Sequence, residues 1–261
     1  MAYIKQDDAA AVRALMRSMY FSNGTIDGLL ATATAGQASA VRGPIASELE
    51  LRDRRKRERL VRKARFPQVK SFEGYDFSQV ALPEGYGVDD LRSLGFVERA
   101  EDLVFRGQTG RGKTHLAIAM GMACAQAEKE ARLFTAAELV LMLAKKRTAT
   151  GFRFPRAAPK PAAAPSKDIA RARLVIVDEL GYVPLDREGA RLLFQVLGDC
   201  YEKRSPVITT NVEFSKWGVV FGDDKLASAL IDRIMHHGRL VEFNGTSKRM
   251  EHALMLGRAA D

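Results

Sequence analysis

The stretch Gly107-Gln108-Thr109-Gly110-Arg111-Gly112-Lys113-Thr114 constrains this chain more than any other feature, because it fits G-x-x-x-x-G-K-[ST] between an apolar run and a helical one. Leu103-Val104-Phe105 precede it and Leu116 to Met120 follow, so strand, loop and helix come in the order that a phosphate cradle requires. Glycines let such a loop curl until its N–H groups converge on phosphate oxygens, and the next helix adds the positive end of its dipole. In that cradle Lys113 is expected to neutralise the β- and γ-phosphates of ATP and Thr114 to hold magnesium. The competing reading, a bare Gly-rich turn, does not account for the flanking pattern. His115 follows directly; it borders the expected nucleotide site and is read as a packing residue.

A second constellation lies at Leu174-Val175-Ile176-Val177-Asp178-Glu179, four apolar β-formers ending in two carboxylates. Ligands of open α/β sheets collect at the carboxyl ends of strands, so Asp178 is placed on the magnesium ion and Glu179 on the water that attacks the γ-phosphate. Two acids at a strand end can also cap a helix; the upstream loop favours the catalytic reading. A built-in water base beside the metal ligand favours ATP hydrolysis over phosphoryl transfer to a metabolite. The third apolar strand, Val207-Ile208-Thr209-Thr210, ends at Asn211, whose amide is expected to touch the lytic water or the γ-phosphate, although an Asn in that place alone is usually a turn residue.

Short β-type runs at Leu103–Arg106, Arg132–Thr135, Leu174–Asp178, Pro206–Thr210 and Leu240–Phe243 alternate with helical patterns. The fold class is therefore α/β, with a parallel five-stranded sheet flanked by helices. Its domain spans 102–252, and a Pro/Ala-rich stretch at 148–167 is expected to be a surface loop. A linker and the start of the core occupy 67–101, where Phe72, Tyr75 and Phe77, like Phe66 just before them, are expected to pack on the core, with stacking on a nucleic-acid base as the alternative. Residues 1–66 form a helical, basic N-terminal region, with weak helices around the small residues Ala31–Ala40.

From Glu48 to Lys70 the composition changes: Arg52, Arg54, Arg55, Lys56, Arg57, Arg59, Arg62, Lys63, Arg65 and Lys70 stand against Glu48, Glu50, Asp53 and Glu58. Most of the chain's +9 charge sits there. With few apolar positions the segment is predicted as a solvated helix ending before Pro67. An ordinary charged helix is one reading; the concentration of one sign favours contact with nucleic-acid phosphates through Arg52 to Arg65. Cys124 and Cys200 fall in apolar helical patterns and are expected to be reduced, buried thiols. No run of about 18 apolar residues is present, nor a leader-like N-terminus, so a cytoplasmic protein without a membrane partner is expected.

With these residues in hand, the chain resembles the IstB family, ATP-dependent helpers of insertion-sequence transposases, and at greater distance the helicase loader DnaC. The resemblance is carried by Arg65-Phe66-Pro67, by Gly107 to Ala119, by Phe134-Thr135-Ala136-Ala137-Glu138-Leu139 and by Val177-Asp178-Glu179-Leu180-Gly181-Tyr182. Thr209 to Gly218, Phe221-Gly222-Asp223, Asp232-Arg233 and His236-His237 complete it. It implies an AAA+ core without a C-terminal helical lid, a small helical N-terminal region, and homo-oligomers that assemble on double-stranded DNA with ATP and stimulate a cognate transposase. It also implies that Arg233 is an arginine finger for a neighbouring subunit and Arg249 a sensor-2 arginine; an exposed helical arginine is the alternative for Arg233. The alternative function is a DnaC-like helicase loader. Arg111 departs from the small or neutral residue common at its position, and leaves the roles of the glycines and Lys113 intact.

Overall fold

The computed structural model describes residues 6–149 and 167–247. Within it the chain divides into two units, residues 1–59 and 60–261. The first contains α1 (Gln6–Ser18), α2 (Asn23–Thr32) and most of α3 (Ala35–Ala64), which runs on into the second. Val12, Met16, Ile26 and Ala38 form its small apolar centre, with Leu29, Leu30 and Ile45 packed around them.

The sequence pattern starts the basic helix at Glu48, whereas α3 starts at Ala35 and has Pro44 inside it. The reason is a capping box. The Thr34 hydroxyl accepts from the Gln37 amide at 3.3 Å, and the Gln37 side chain accepts from the Thr34 amide at 2.8 Å, so orphan donors at the helix start are satisfied reciprocally. The alanines that look like low complexity are good helix formers behind that cap. At the other end Arg65 turns to φ +62, and Pro67 disfavours helical backbone at Phe66.

The second unit is a six-stranded sheet in the order β1-β6-β2-β5-β4-β3. Five strands, β2 (Asp102–Arg106), β3 (Ala131–Thr135), β4 (Leu174–Leu180), β5 (Ser205–Thr210) and β6 (Gly238–Phe243), are parallel. The sixth, β1 (Val80–Ala81), is antiparallel to β6 and was not expected. At two residues it carries no periodicity to recognise; it exists because Val80 and Ala81 pair with Phe243 and Glu242 at an otherwise open edge.

Helices cover both faces: α4 (Val88–Arg92), α5 (Gly95–Glu98) and α6 (Lys113–Gln126), then α7 (Ala136–Ala149), α8 (Lys167–Arg171), α9 (Arg187–Cys200), α10 (Trp217–Phe221) and α11 (Asp224–His237). The period of two along the strands assigns the side chains. Leu103, Phe105, Leu174, Ile176 and Val207 face one cluster with Leu116 and Met120 of α6; Val104, Val175, Val177 and Ile208 face the other, with Leu193, Trp217 and Leu230. Both faces of the inner strands β4 and β5 are thus sealed, and these two are near-continuous apolar runs up to their polar carboxyl ends. Phe66, Phe72, Tyr75 and Phe77 pack on the α6 side. The ring of Phe66 fills the notch that Gly121 leaves in α6, where any Cβ would collide with it.

Cys124 and Cys200 are buried and unpaired, and burial pushes their thiols up to about 12 and about 11. Among the described residues no helix is long and apolar enough to cross a membrane. Most of the Pro/Ala-rich stretch, and Arg249, lie outside the described residues.

Candidate nucleotide site

The carboxyl ends of the parallel strands open into a cavity of about 580 Å³ in the second unit. One wall is the loop after β2. Gly110 and Gly112 take φ +87 and +89, a region in which a Cβ would be strained, and Gly112 is the residue from which α6 departs. Lys113, only 9% exposed, folds its ammonium back onto the loop, donating to the carbonyls of Gly107 at 2.6 Å and Gln108 at 2.8 Å. Arg111 turns away from the cavity mouth and donates to the Phe243 carbonyl at 3.0 Å and to Gln108 at 3.2 Å, bracing the loop against β6. That anchoring explains how a long cation fits at a position usually held by small residues.

The opposite wall is the end of β4. Asp178 is 6% exposed, and its Oδ1 accepts the hydroxyls of Thr114 at 3.0 Å and of Thr209. Glu179 is exposed and lines the cavity. Its backbone sits at φ +61, because the register between β4 and β5 slips after Val177: Val177 pairs with Ile208, yet Leu180 pairs with Thr210. Two residues, Asp178 and Glu179, therefore oppose the single Thr209. Such a bulge re-aims the side chains at its crest, and a non-glycine in this backbone region costs about 1–2 kcal/mol. Asn211 stands at the rim, exposed, one residue past β5.

The structure thus brings Thr109, Gly110, Gly112, Lys113, Thr114, His115, Glu179 and Asn211 to one cavity, with Asp178 beneath it. A hydroxyl and a carboxylate oxygen 3.0 Å apart on facing elements form a hard oxygen pair suited to a small divalent cation. Arg233 is elsewhere. It projects from α11 with its guanidinium 5.0 Å from the ring of Phe194 on α9, exposed and not part of this cavity. His236 and His237 end α11, the first bonded to Tyr201 at 3.1 Å, the second facing Glu202 at 3.1 Å.

The sequence pattern missed the third wall, which comes from the linker: Pro67, Gln68, Lys70, Gly74, Tyr75 and Asp76. The Tyr75 hydroxyl donates to the Gly112 carbonyl at 3.3 Å, and its ring lies 5.0 Å from that of His115, whose Nε2 meets the Ser71 carbonyl at 3.2 Å. Burial raises the Tyr75 phenol far above its ordinary range, so it stays a neutral donor. The one available signal was an aromatic residue among Gly and Pro just before the first core strand.

On α3 the basic residues Arg52, Arg54, Arg55, Lys56, Arg59, Arg62 and Lys63 are exposed, as is Arg65 just past its end, and Arg57 is half-buried. Arg52 pairs with Glu48 at 2.8 Å, Arg54 with Glu58 at 3.0 Å and Lys63 with Glu130 at 3.6 Å. Arg55, Arg59 and Arg62, at helical spacing along one stripe, have no ion-pair partner among the described residues.

Comparison with known proteins follows the same lines. Residues 28–255 match the family described as IstB-like ATP binding protein. The ATP-binding protein of insertion sequence IS232 from Bacillus thuringiensis subsp. berliner is 33% identical over 204 residues, 78% of each chain. That of insertion sequence IS21 from Pseudomonas aeruginosa is 35% identical over 206 residues, 79% of this chain and 74% of the other. Among solved structures, a DnaI protein overlays with a TM-score of 0.47 at 16% identity, covering 72% of this chain and 93% of that one. Overlap at that level says nothing about activity.

Proposed function

We propose, for a chain that belongs to the family of IstB-like ATP-binding proteins, that it hydrolyses ATP, assembles as a homo-oligomer on double-stranded DNA and serves a cognate transposase. The observation that carries the reading is the meeting of Thr114 and Asp178 at 3.0 Å under a cavity that also receives Lys113, Glu179 and Asn211. Relatives named as insertion-sequence ATP-binding proteins support the transposition role.

In this reading Lys113 exchanges its two loop carbonyls for oxygens of the β- and γ-phosphates, and the amides from Gly107 to Thr114 take the remaining charge. Thr114 and Asp178 would hold magnesium, whose charge would offset that of the phosphates. Glu179 orients a water for attack on the γ-phosphorus and takes its proton; Asn211 steadies the same water. The bond to the β-phosphate oxygen breaks and ADP leaves. Arg233, outside its own chain's cavity, serves a neighbour's γ-phosphate, so turnover depends on assembly; Arg249 assists within the chain. The stripe Arg55, Arg59 and Arg62, with Arg52, Arg54, Lys56, Arg57, Lys63 and Arg65 around it, binds DNA phosphates without reading sequence.

The test is ATP hydrolysis with and without duplex DNA across a protein titration. Turnover that rises with DNA and cooperatively with protein concentration supports the reading. Turnover indifferent to duplex DNA removes the DNA-bound helper and leaves a helicase-loader role in its place. Replacing Arg55, Arg59 and Arg62 together by Gln should flatten the log–log salt dependence of DNA binding by roughly 0.9 for each phosphate that is no longer neutralised.

A further inference from the structure

We propose that Thr209, buried on β5 and given no role by the sequence pattern, is a positioning residue that sets both acids of the site through one hydroxyl. The proposal rests on the hydrolytic reading above and adds the part that holds its acids in place.

Thr209 is 1% exposed, and its Oγ1 lies in the bulge between β4 and β5. There it donates to Asp178 Oδ1 and accepts from the Glu179 amide at 3.0 Å. A hydroxyl has one proton to give and lone pairs to receive with, so this arrangement has a direction. The proton goes to the carboxylate and the lone pair to the backbone of the next residue. The Glu179 amide is the group that the bulge removes from the strand ladder, and a buried amide left alone is costly. Thr209 therefore satisfies the donor that the bulge creates, and so holds Glu179 at φ +61 with its carboxylate in the cavity.

The same oxygen holds the other acid. Asp178 Oδ1 receives Thr209 from the strand side and Thr114 from the loop side. Were Thr114 to hold a metal, the Thr209 hydroxyl would remain as the donor that keeps Asp178 oriented. Groups that orient a metal ligand commonly change metal affinity or activity by roughly 10–100-fold when removed. The following residue completes the staple. The Thr210 hydroxyl donates to the Leu180 carbonyl at 2.7 Å, restoring the ladder past the bulge, and the Thr210 carbonyl accepts from the Gly107 amide at 3.2 Å. The tip of β5 thus ties the acid strand to the phosphate loop.

Thr209→Val keeps shape and β-branching and deletes only the hydroxyl; Thr209→Ser keeps the hydroxyl and deletes a methyl group. Two quantities are measured on the full chain: kcat and KM for ATP, and the gain in ADP affinity when magnesium replaces EDTA. The expected result is that Val lowers kcat by roughly 10–100-fold and erases most of the magnesium-dependent gain, with ADP affinity in EDTA unchanged. Ser is expected to restore both, although it loses packing. The proposal is overturned if Val behaves as wild type, or if Ser is as impaired as Val, which would make the residue a packing element. Absence of turnover in the wild-type chain would sink the hydrolytic reading instead, and the magnesium-dependent ADP affinity would still decide the role of Thr209.

Discussion

Two aspartates of the parallel sheet are almost equally buried, Asp102 at 5% and Asp178 at 6% exposure, and they sit at opposite ends of it. Asp178 lies at the carboxyl end of β4 and receives two hydroxyls on one oxygen. Asp102 opens β2 across from Gly238, and its Oδ1 has no hydrogen-bond partner among the described residues. Burial without donors pushes the Asp102 carboxyl up to about 7. What distinguishes the two buried acids is the supply of donors, which reaches Asp178 from threonines on neighbouring elements. At the carboxyl edge the buried Asp178 oxygen has been given two donors; at the amino edge Asp102 Oδ1 has been given none.

The largest effect should come from the exposed acid that the bulge presents. Glu179→Gln keeps shape and removes the proposed base, so kcat should fall by roughly 10²–10⁴-fold while nucleotide and DNA remain bound. Phosphate release at the wild-type rate from that variant would remove Glu179 from the chemistry. Glu179→Gly separates strain from catalysis, since glycine adopts φ +61 freely. It should be equally inactive yet no less stable to urea, and a clear loss of stability would mean that the bulge is not strained.

Asp102 supplies the converse experiment. Its folded-state pKa lies above that of the unfolded chain, so the native state holds the extra proton between about pH 4 and pH 7. Stability contributed by this site is then greatest below that window and falls as pH rises through it, by up to about 1.4 kcal/mol per pH unit, and is level above it. Asp102→Asn should abolish that slope in urea titrations at several pH values without changing turnover. An unchanged slope would show that Asp102 is not the unpaired acid that sets it.

These contrasts also mark what the sequence could convey. The five parallel strands were legible because they are short apolar runs alternating with helical patterns, and the phosphate loop because glycine at a fixed spacing is itself the geometry. The acid bulge was not legible. Nothing in Val-Asp-Glu-Leu announces φ +61 at Glu179, since the extra residue is defined by the register of β5. Thr209 left a faint trace, a hydroxyl inside an otherwise apolar buried strand, and a buried hydroxyl needs a partner. The early start of α3 was encoded in Thr34 and Gln37, and went unseen because the alanines behind them have no apolar stripe to count.

Within the phosphate loop, Gly112 can be used to ask how tightly the edge is matched. A Cβ there would stand 2.7 Å from the Tyr75 hydroxyl, on a backbone at φ +89. Gly112→Ala should therefore weaken ATP binding by about tenfold or more, at about 1–3 kcal/mol for backbone strain and the displaced ring together. Retained affinity in calorimetry would mean that the loop has slack the geometry does not suggest.

The smallest effect is the most diagnostic. Tyr75→Phe removes one hydrogen bond of 3.3 Å to the Gly112 carbonyl, and its cost should be about 0.5–1.5 kcal/mol in nucleotide affinity. In the Gly112→Ala background the same change takes away the atom that the new methyl would strike. There Tyr75→Phe should raise affinity instead of lowering it. A double-mutant cycle measures this reversal directly. If the two changes simply add, the linker does not rest on the phosphate loop, and the third wall of the cavity belongs to the surface and not to the site.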